Sequence, residues 1–112
     1  MHTAYFANTN TRGQRIPFGI RYVDRLSHLY VIGKTGTGKT TLLESLIRQD
    51  IENGCGVSLI DPHGDFVERV ASTIPMHRKT DLIYFDVANP TQPYGYNPLR
   101  FVTAERRPLA AS

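Results

Sequence analysis

The chain has 112 residues, of which 40% are hydrophobic and 21% are charged, which is ordinary for a single globular domain. The net charge is +3, and the basic residues are scattered, so composition alone does not argue for nucleic-acid binding. No apolar run reaches the length of a membrane span, no secretory signal pattern is present, and no His or Cys pair has zinc-ligand spacing. The single cysteine, Cys55, excludes an internal disulfide and predicts a reducing, cytoplasmic compartment.

The start of the chain predicts a β-hairpin. Two short apolar stretches, residues 3–7 and 15–20, flank a polar turn. Pro17 limits the second strand to an edge or an irregular position, because proline cannot donate a ladder hydrogen bond. We expect residues 1–23 to form this hairpin region and residues 24–112 to form a partial nucleotide-binding domain.

Residues 33–40 read Gly-Lys-Thr-Gly-Thr-Gly-Lys-Thr, a complete phosphate-loop pattern of the form G-x-x-x-x-G-K-[ST]. Its glycines permit positive φ angles and let backbone N–H groups approach phosphates closely. Lys39 is expected to contact the β- and γ-phosphates, and the Thr40 hydroxyl is expected to coordinate Mg²⁺. The predicted nucleotide-binding residues are Gly33, Lys34, Thr35, Gly36, Thr37, Gly38, Lys39, Thr40 and Thr41.

The surroundings of the loop support this interpretation. Residues 28–32 are a short apolar run rich in aromatic and β-branched side chains, which predicts a buried strand. Residues 41–51 predict an amphipathic helix that ends at Asn53 and Gly54. Strand, glycine loop and helix follow in the required order, which argues against a glycine-rich turn that contains a lysine by chance.

Two more apolar strands are predicted, at residues 56–61 and 81–86. Between them, Asp65 is expected to cap a helix that stops at Pro75. Strands that alternate with helices at this spacing predict parallel βαβ units with right-handed crossovers.

Both of these strands end in an aspartate, Asp61 and Asp86, and ligands of open α/β sheets bind at the carboxyl ends of strands. Asp61 could therefore hold Mg²⁺ through water, or it could only cap the turn that follows. Both interpretations stay open because Asp61, His63 and Asp65 lie close together in sequence, whereas Asp86 is expected to be structural. Asp61 and Asp65 are the candidate catalytic residues. Neither of the strand-end acids, Asp61 and Asp86, is followed by the glutamate that usually activates water.

After Asp86 the sequence changes character. Residues 89–98 are rich in turn-forming and aromatic residues and predict an ordered loop. A helix is expected to begin at Thr103, with Glu105 in its first turn, although Pro108 argues against a long one. The chain then ends in helix-forming residues without a stop signal, which predicts a truncation.

Beyond the loop, several segments together resemble the HerA/FtsK group of phosphate-loop ATPases, and within it the TraD/TraG-like coupling ATPases of conjugation and type IV secretion. The segments that carry the resemblance are residues 18–20, 24–25, 28–43, 61–65 and 95–99. The phosphate loop is common to many families, so the other segments provide the specificity.

The resemblance implies an α/β fold: a partial RecA-like core with parallel strands and flanking helices, preceded here by a short β-hairpin. It also implies ATP and Mg²⁺ as ligands, a hexameric ring when full length, and DNA as the partner that is moved. Residues 33–41 match the family's nucleotide-binding loop, and residues 61–65 match a motif near the nucleotide. The family's Asp-Glu strand and its arginine lie later, and this sequence ends before either.

We therefore expect an N-terminal piece of a DNA-translocating ATPase that binds ATP with Mg²⁺ but hydrolyses it very slowly alone. It would act in the cytoplasm, where partners could bring it to the inner face of the membrane. A small nucleotide kinase is an alternative, with Asp61 holding the acceptor or the metal. A fragment without activity is another.

Overall fold

The structure is a computed structural model that describes residues 2–95, 97, 100, 103 and 104. The chain divides into two compact units, Met1–Leu82 and Ile83–Ser112. The described residues of the first unit form two strands and four helices. These are β1 (Thr3–Asn8), β2 (Pro17–Arg21), α1 (Tyr22–Arg25), α2 (Lys39–Glu52), α3 (Asp65–Ser72) and a 3₁₀ helix (Met76–Asp81).

The predicted hairpin is confirmed: β1 and β2 pair antiparallel, with Thr3 opposite Arg21. Pro17 is the first residue of β2, a position where the missing N–H leaves no gap in a central ladder. Gly19 lies so close to the Ala4 carbonyl that any Cβ there would overlap it. The strands can approach this closely only because position 19 is a glycine.

The predicted helix after the glycine loop is confirmed as α2, which begins at Lys39 and so includes the last residues of the motif. Its end has the hydrogen bonds of a Schellman motif: the Gly54 N–H donates to the Ile51 carbonyl, and the Cys55 N–H donates to the Asp50 carbonyl. Gly54 takes a φ of 80° there, which glycine adopts without strain.

A small apolar core lies where α2 meets the hairpin and α3. The residues buried in it are Ala4, Leu46, Ile51 and Val70. Leu46 and Ile51 belong to the apolar face predicted for α2, whereas Leu43 and Ile47 on that face are only half-buried.

Charged pairs reinforce these contacts. The two terminal guanidinium nitrogens of Arg25 donate to the Asp50 carboxylate, each at 2.6 Å, which attaches α1 to α2. This pair raises the pKa of Arg25 through its hydrogen bonds to Asp50. Arg69 of α3 lies 3.5 Å from the Glu44 carboxylate of α2.

The prediction that Asp65 caps α3 is wrong. Asp65 is the first helical residue, the cap position is Gly64, and Asp61 supplies the carboxylate that binds the helix N-terminus. The helix also stops at Ser72, before Pro75. At this end of the helix, a side-chain hydroxyl bonds to a carbonyl of the last turn: the Ser72 Oγ donates to the Arg69 carbonyl at 2.7 Å.

The three strands predicted from apolar runs are not formed. Residues 28–32, 56–61 and 81–86 have no ladder partner, and the only sheet among the described residues is the antiparallel hairpin. Their side chains include some of the most exposed apolar groups described, with Tyr30 86% and Ile60 90% exposed. The described fold is thus mixed α/β, and the predicted parallel sheet is absent from it. Apolar patterning indicates what should be buried, whereas a strand exists only when another strand pairs with it.

In the second unit, Asp86 closes a turn. Its Oδ1 accepts a hydrogen bond from the Ala88 N–H at 3.0 Å, and its own N–H donates to Oε1 of Gln92 at 3.2 Å. These contacts confirm the expectation that Asp86 is structural.

Most of residues 95–99 and of the helix predicted from Thr103 lies outside the described residues. None of the helices in the described part of the chain has the length and hydropathy needed to cross a bilayer.

Candidate phosphate-binding site

The glycine loop adopts a backbone that other residues would find strained. Gly36 has a φ of 80° and Gly38, immediately before α2, has a φ of 90°. Nothing lies within 4 Å of the Cβ position of either residue, so the loop leaves open space beside its backbone. A left-handed conformation next to open space is what a close backbone approach to a ligand requires.

Lys39 folds back over the loop from the first turn of α2. Its Nζ donates to the Gly33 carbonyl at 2.6 Å and to the Lys34 carbonyl at 2.8 Å. An ammonium group has three N–H donors, so one remains for an anion while the other two hold the loop. The Lys39 side chain therefore has two roles: it holds its positive charge at the loop, and its hydrogen bonds close the loop.

Thr37 completes this closure. Its Oγ1 donates to the Lys34 carbonyl at 2.7 Å, and its backbone N–H donates to the same oxygen at 3.3 Å. A Cβ added at Gly33 would lie 2.6 Å from that Oγ1, so position 33 also needs a glycine. Gly33, Lys34, Thr37 and Lys39 are thus held together by hydrogen bonds and close packing.

Several N–H groups at the loop remain without acceptors. Within residues 2–95, the backbone N–H groups of Gly36, Gly38, Thr40 and Thr41 donate to no protein atom. The N–H groups of a first helical turn have no intrahelical partner, and α2 adds the positive end of its dipole at this point. Unpaired donors, an ammonium group and a helix N-terminus fit an anion such as a phosphate chain.

Thr40, the residue predicted to bind Mg²⁺, lies in the first turn of α2. Its side chain is exposed, and its hydroxyl makes no hydrogen bond to the described residues, so the oxygen is free to act as a ligand. Among the described residues, no three or more His, Cys, Asp or Glu side chains cluster so that they could hold a metal ion. The loop can therefore accept an anion such as phosphate, and the role of the Thr40 hydroxyl in binding Mg²⁺ stays a prediction.

Asp61, the candidate acid, is occupied by its own turn. Its Oδ1 accepts from the His63 N–H at 3.0 Å, and its Oδ2 accepts from the N–H groups of Phe66 at 2.9 Å and Val67 at 3.3 Å. These backbone donors, His63 first, lower the pKa of Asp61. Asp65 is exposed at the start of α3 and makes no capping hydrogen bond. The contacts of Asp61 are those of a cap, and its metal role stays a prediction.

The sequence did not reveal two residues that position the loop helix. Gln49 of α2 binds the backbone of Tyr5 on both sides: its Oε1 accepts from the Tyr5 N–H at 2.9 Å, and its Nε2 donates to the Tyr5 carbonyl at 2.8 Å. Phe6, the next residue, lines the same cavity as Gly38 and Thr41. The only signal available in the sequence was a polar residue, Gln49, next to the half-buried Asp50 of α2, and its partner Tyr5 is 44 residues away.

A glycine loop that leaves its N–H groups free, is tied to its own lysine and opens a helix defines a phosphate-loop nucleotide-binding protein. The sequence model of the family described as helicase HerA, central domain, matches residues 8–103. The chain therefore belongs to this family, and with it to the phosphate-loop ATPases of the HerA/FtsK type. No curated protein and no solved structure matches the chain significantly.

Proposed function

We propose that the chain binds ATP with Mg²⁺ in the loop formed by residues 33–41. Lys39 would contact the β- and γ-phosphates, the Thr40 hydroxyl would bind Mg²⁺, and Thr41 would hold the α-phosphate. The observation that carries the proposal is the pair of hydrogen bonds, at 2.6 and 2.8 Å, from the Lys39 ammonium to the loop carbonyls. They place a positive charge beside the free backbone donors of Gly36 and Gly38.

Hydrolysis by the chain alone should be very slow. Phosphoryl transfer needs a positioned water molecule and stabilisation of developing charge in addition to a phosphate cradle. Asp61 uses both carboxylate oxygens on backbone N–H groups, and the described residues contain no group of three or more His, Cys, Asp or Glu side chains that could hold a metal ion. A role for Asp61 in holding Mg²⁺ would have to run through water, and Asp65 remains the other candidate acid.

The wider proposal is a DNA-translocating motor of the coupling type that serves conjugation or type IV secretion. Membership of the HerA family supports a motor that handles DNA as a hexamer, and the resemblance in residues 61–65 and 95–99 supports the coupling type. In this proposal residues 24–112 contribute to a RecA-like core of parallel strands, with residues 1–23 as a hairpin in front of it. ATP turnover that DNA stimulates would support the motor.

Isothermal titration calorimetry tests the central proposal. We expect saturable binding of ATP in the presence of Mg²⁺ and little release of phosphate over the same period. Absence of binding by correctly folded protein would contradict the proposal and favour an inactive fragment. Rapid turnover would contradict the expected slow hydrolysis, and transfer of phosphate to a nucleoside or nucleotide would favour the kinase.

A further inference from the structure

A cavity of about 390 Å³ lies directly beside the phosphate loop, between the hairpin and the first turns of α2. Its lining residues are Phe6, Gly38, Thr41, Leu42 and Ser45. We propose that this cavity receives the nucleoside half of the nucleotide and that the Phe6 ring packs against the base. The inference rests on the proposed function, because it assumes that the phosphates occupy the loop.

The cavity and the phosphate loop are continuous. Gly38 and Thr41 line the cavity and also belong to the loop, where their N–H groups are free to bind phosphate. Thr41 is the residue expected to hold the α-phosphate, which is the phosphate that carries the nucleoside. A nucleotide bound in this direction leaves the loop at Thr41 and enters the cavity. The volume lies within the range of roughly 300–1,000 Å³ that is typical of small-molecule sites.

The hairpin places Phe6 at this point through an irregularity in β1. The register of β1 against β2 shifts between Tyr5 and Ala7, so Phe6 occupies a β-bulge. Bulges re-aim a side chain relative to the regular alternation of a strand. The ring is half-buried and packs edge-to-face on Phe18, with centroids 5.5 Å apart and planes at 71°. An aromatic side chain is thus held in one orientation at the wall of the cavity.

Gln49 then attaches this part of β1 to α2. Its amide group bonds both the N–H and the carbonyl of Tyr5, at 2.9 and 2.8 Å, one residue before Phe6. Because α2 also carries Lys39 and Thr40 in its first turn, the clamp fixes the distance between the aromatic ring and the phosphate-binding groups. Gln49 is therefore a positioning residue in this proposal.

The chemistry of the lining suits a neutral heterocycle and a sugar. None of the lining side chains carries a charge, and the polar ones are the hydroxyls of Thr41 and Ser45. The Ser45 Oγ accepts a hydrogen bond from Nε2 of Gln49 at 3.3 Å, so its own O–H can donate to a ribose or base acceptor. Binding that depends on stacking favours purine nucleotides, since they offer the larger aromatic surface.

The test compares ATP with inorganic tripolyphosphate, which has the phosphates but no nucleoside. For Phe6→Ala we expect ATP binding to weaken by roughly tenfold to a hundredfold, the range expected for loss of one base–aromatic contact. Tripolyphosphate binding should be unchanged within about twofold, since measured contact energies vary that much. The matched control is Tyr22→Ala, which truncates an aromatic side chain that is 45% exposed and does not line the cavity. It should leave both ligands unaffected.

The binding results of the unmodified chain separate an error in the nucleoside subsite from an error in the proposed function. If the unmodified chain binds neither ligand, the proposed function is wrong and this inference falls with it. If the unmodified chain binds both ligands and Phe6→Ala weakens both equally, or neither, only the nucleoside subsite is wrong.

A second variant covers the case in which Phe6→Ala does not fold. The chain contains no tryptophan, so Phe6→Trp introduces a single indole fluorophore into the cavity wall. We expect its fluorescence to be quenched by ATP and not by tripolyphosphate. Identical responses to the two ligands would overturn the proposal.

Discussion

The loop at residues 33–38 and the apolar run at residues 56–60 differ in where their partners lie. The loop is closed by Lys39 and Thr37, which reach carbonyls only three to six residues away. The apolar run requires a neighbouring strand, and Ile60 remains 90% exposed without one. A motif whose interactions are local can adopt its geometry before the surrounding sheet exists. An apolar run cannot, because its stability depends on distant segments.

The largest expected effect is on the free energy of unfolding. Truncation of a buried core side chain should lower it far more than truncation of a side chain in the exposed apolar run. Leu46→Ala removes a side chain that is 3% exposed in the core and should lower the free energy of unfolding by about 2–5 kcal/mol. Ile60→Ala acts on an exposed side chain and should change that free energy by less than about 0.5 kcal/mol. Urea denaturation monitored by circular dichroism measures both. An equal loss for the two variants would mean that residues 56–60 are buried in a sheet after all.

Removal of the Lys39 ammonium group tests whether the locally closed loop binds phosphate. Lys39→Ala loses two charge-assisted hydrogen bonds and the ammonium group that faces the phosphates. We expect ATP affinity in calorimetry to fall by roughly tenfold to a hundredfold, since one charge-assisted hydrogen bond from the ammonium group to a phosphate is worth roughly 1.5–3 kcal/mol. Lys79→Ala is the matched control, because Lys79 is exposed in the 3₁₀ helix and its side chain makes no hydrogen bond to the described residues. Retention of ATP binding by Lys39→Ala would contradict the proposed site.

Gly33, the first glycine of the loop, leaves room for the Thr37 hydroxyl. Gly33→Ala would bring a Cβ to 2.6 Å from the Thr37 Oγ1, so the hydroxyl must leave the Lys34 carbonyl. We expect ATP affinity to fall about tenfold, which corresponds to 1.4 kcal/mol. Thr37→Ala removes the clashing oxygen, and the double variant should recover part of the loss. A double-mutant cycle with a coupling energy of roughly zero would show that the two residues do not pack as described.

The smallest effect is expected at Asp61. Its pKa is lowered by backbone hydrogen bonds, with His63 first, so the ionised carboxylate stabilises the fold. This contribution is fully present above the ordinary aspartate pKa of about 3.9 and is lost as the pH falls through the lowered pKa of the folded state. The stability difference between the unmodified chain and Asp61→Asn should therefore shrink below about pH 4. A difference that is the same at pH 7 and pH 3, two values chosen on either side of the ordinary aspartate pKa of about 3.9, would contradict this cap.

The elements that the sequence predicts correctly are those whose signals come from residues close together in the chain. The hairpin, α2 with its glycine stop, and the phosphate loop follow from turn residues, helical periodicity and a motif in which Lys39 reaches back only a few residues. Asp65 was assigned as the cap of α3 because it lies next to the helix. The turn through Gly64, with a φ of 90°, instead brings Asp61 to the helix N-terminus.

The remaining features depend on contacts between distant segments. The clamp of Gln49 on Tyr5 joins residues 44 positions apart, and its acceptor and donor are backbone groups that no side-chain pattern reveals. The bulge that places Phe6 beside the loop depends on the pairing of β1 with β2. Periodicity could predict the two strands of the hairpin, but not this irregularity in their register.

The most direct measurement follows the backbone amides of the loop while ATP is added. In ¹⁵N-resolved NMR spectra with Mg²⁺, the signals of Gly36, Gly38, Thr40 and Thr41 should shift with a common saturation curve. The signals of residues 56–60 should not move. Saturable shifts elsewhere in the chain, with these four amides unchanged, would contradict a phosphate site built by the loop.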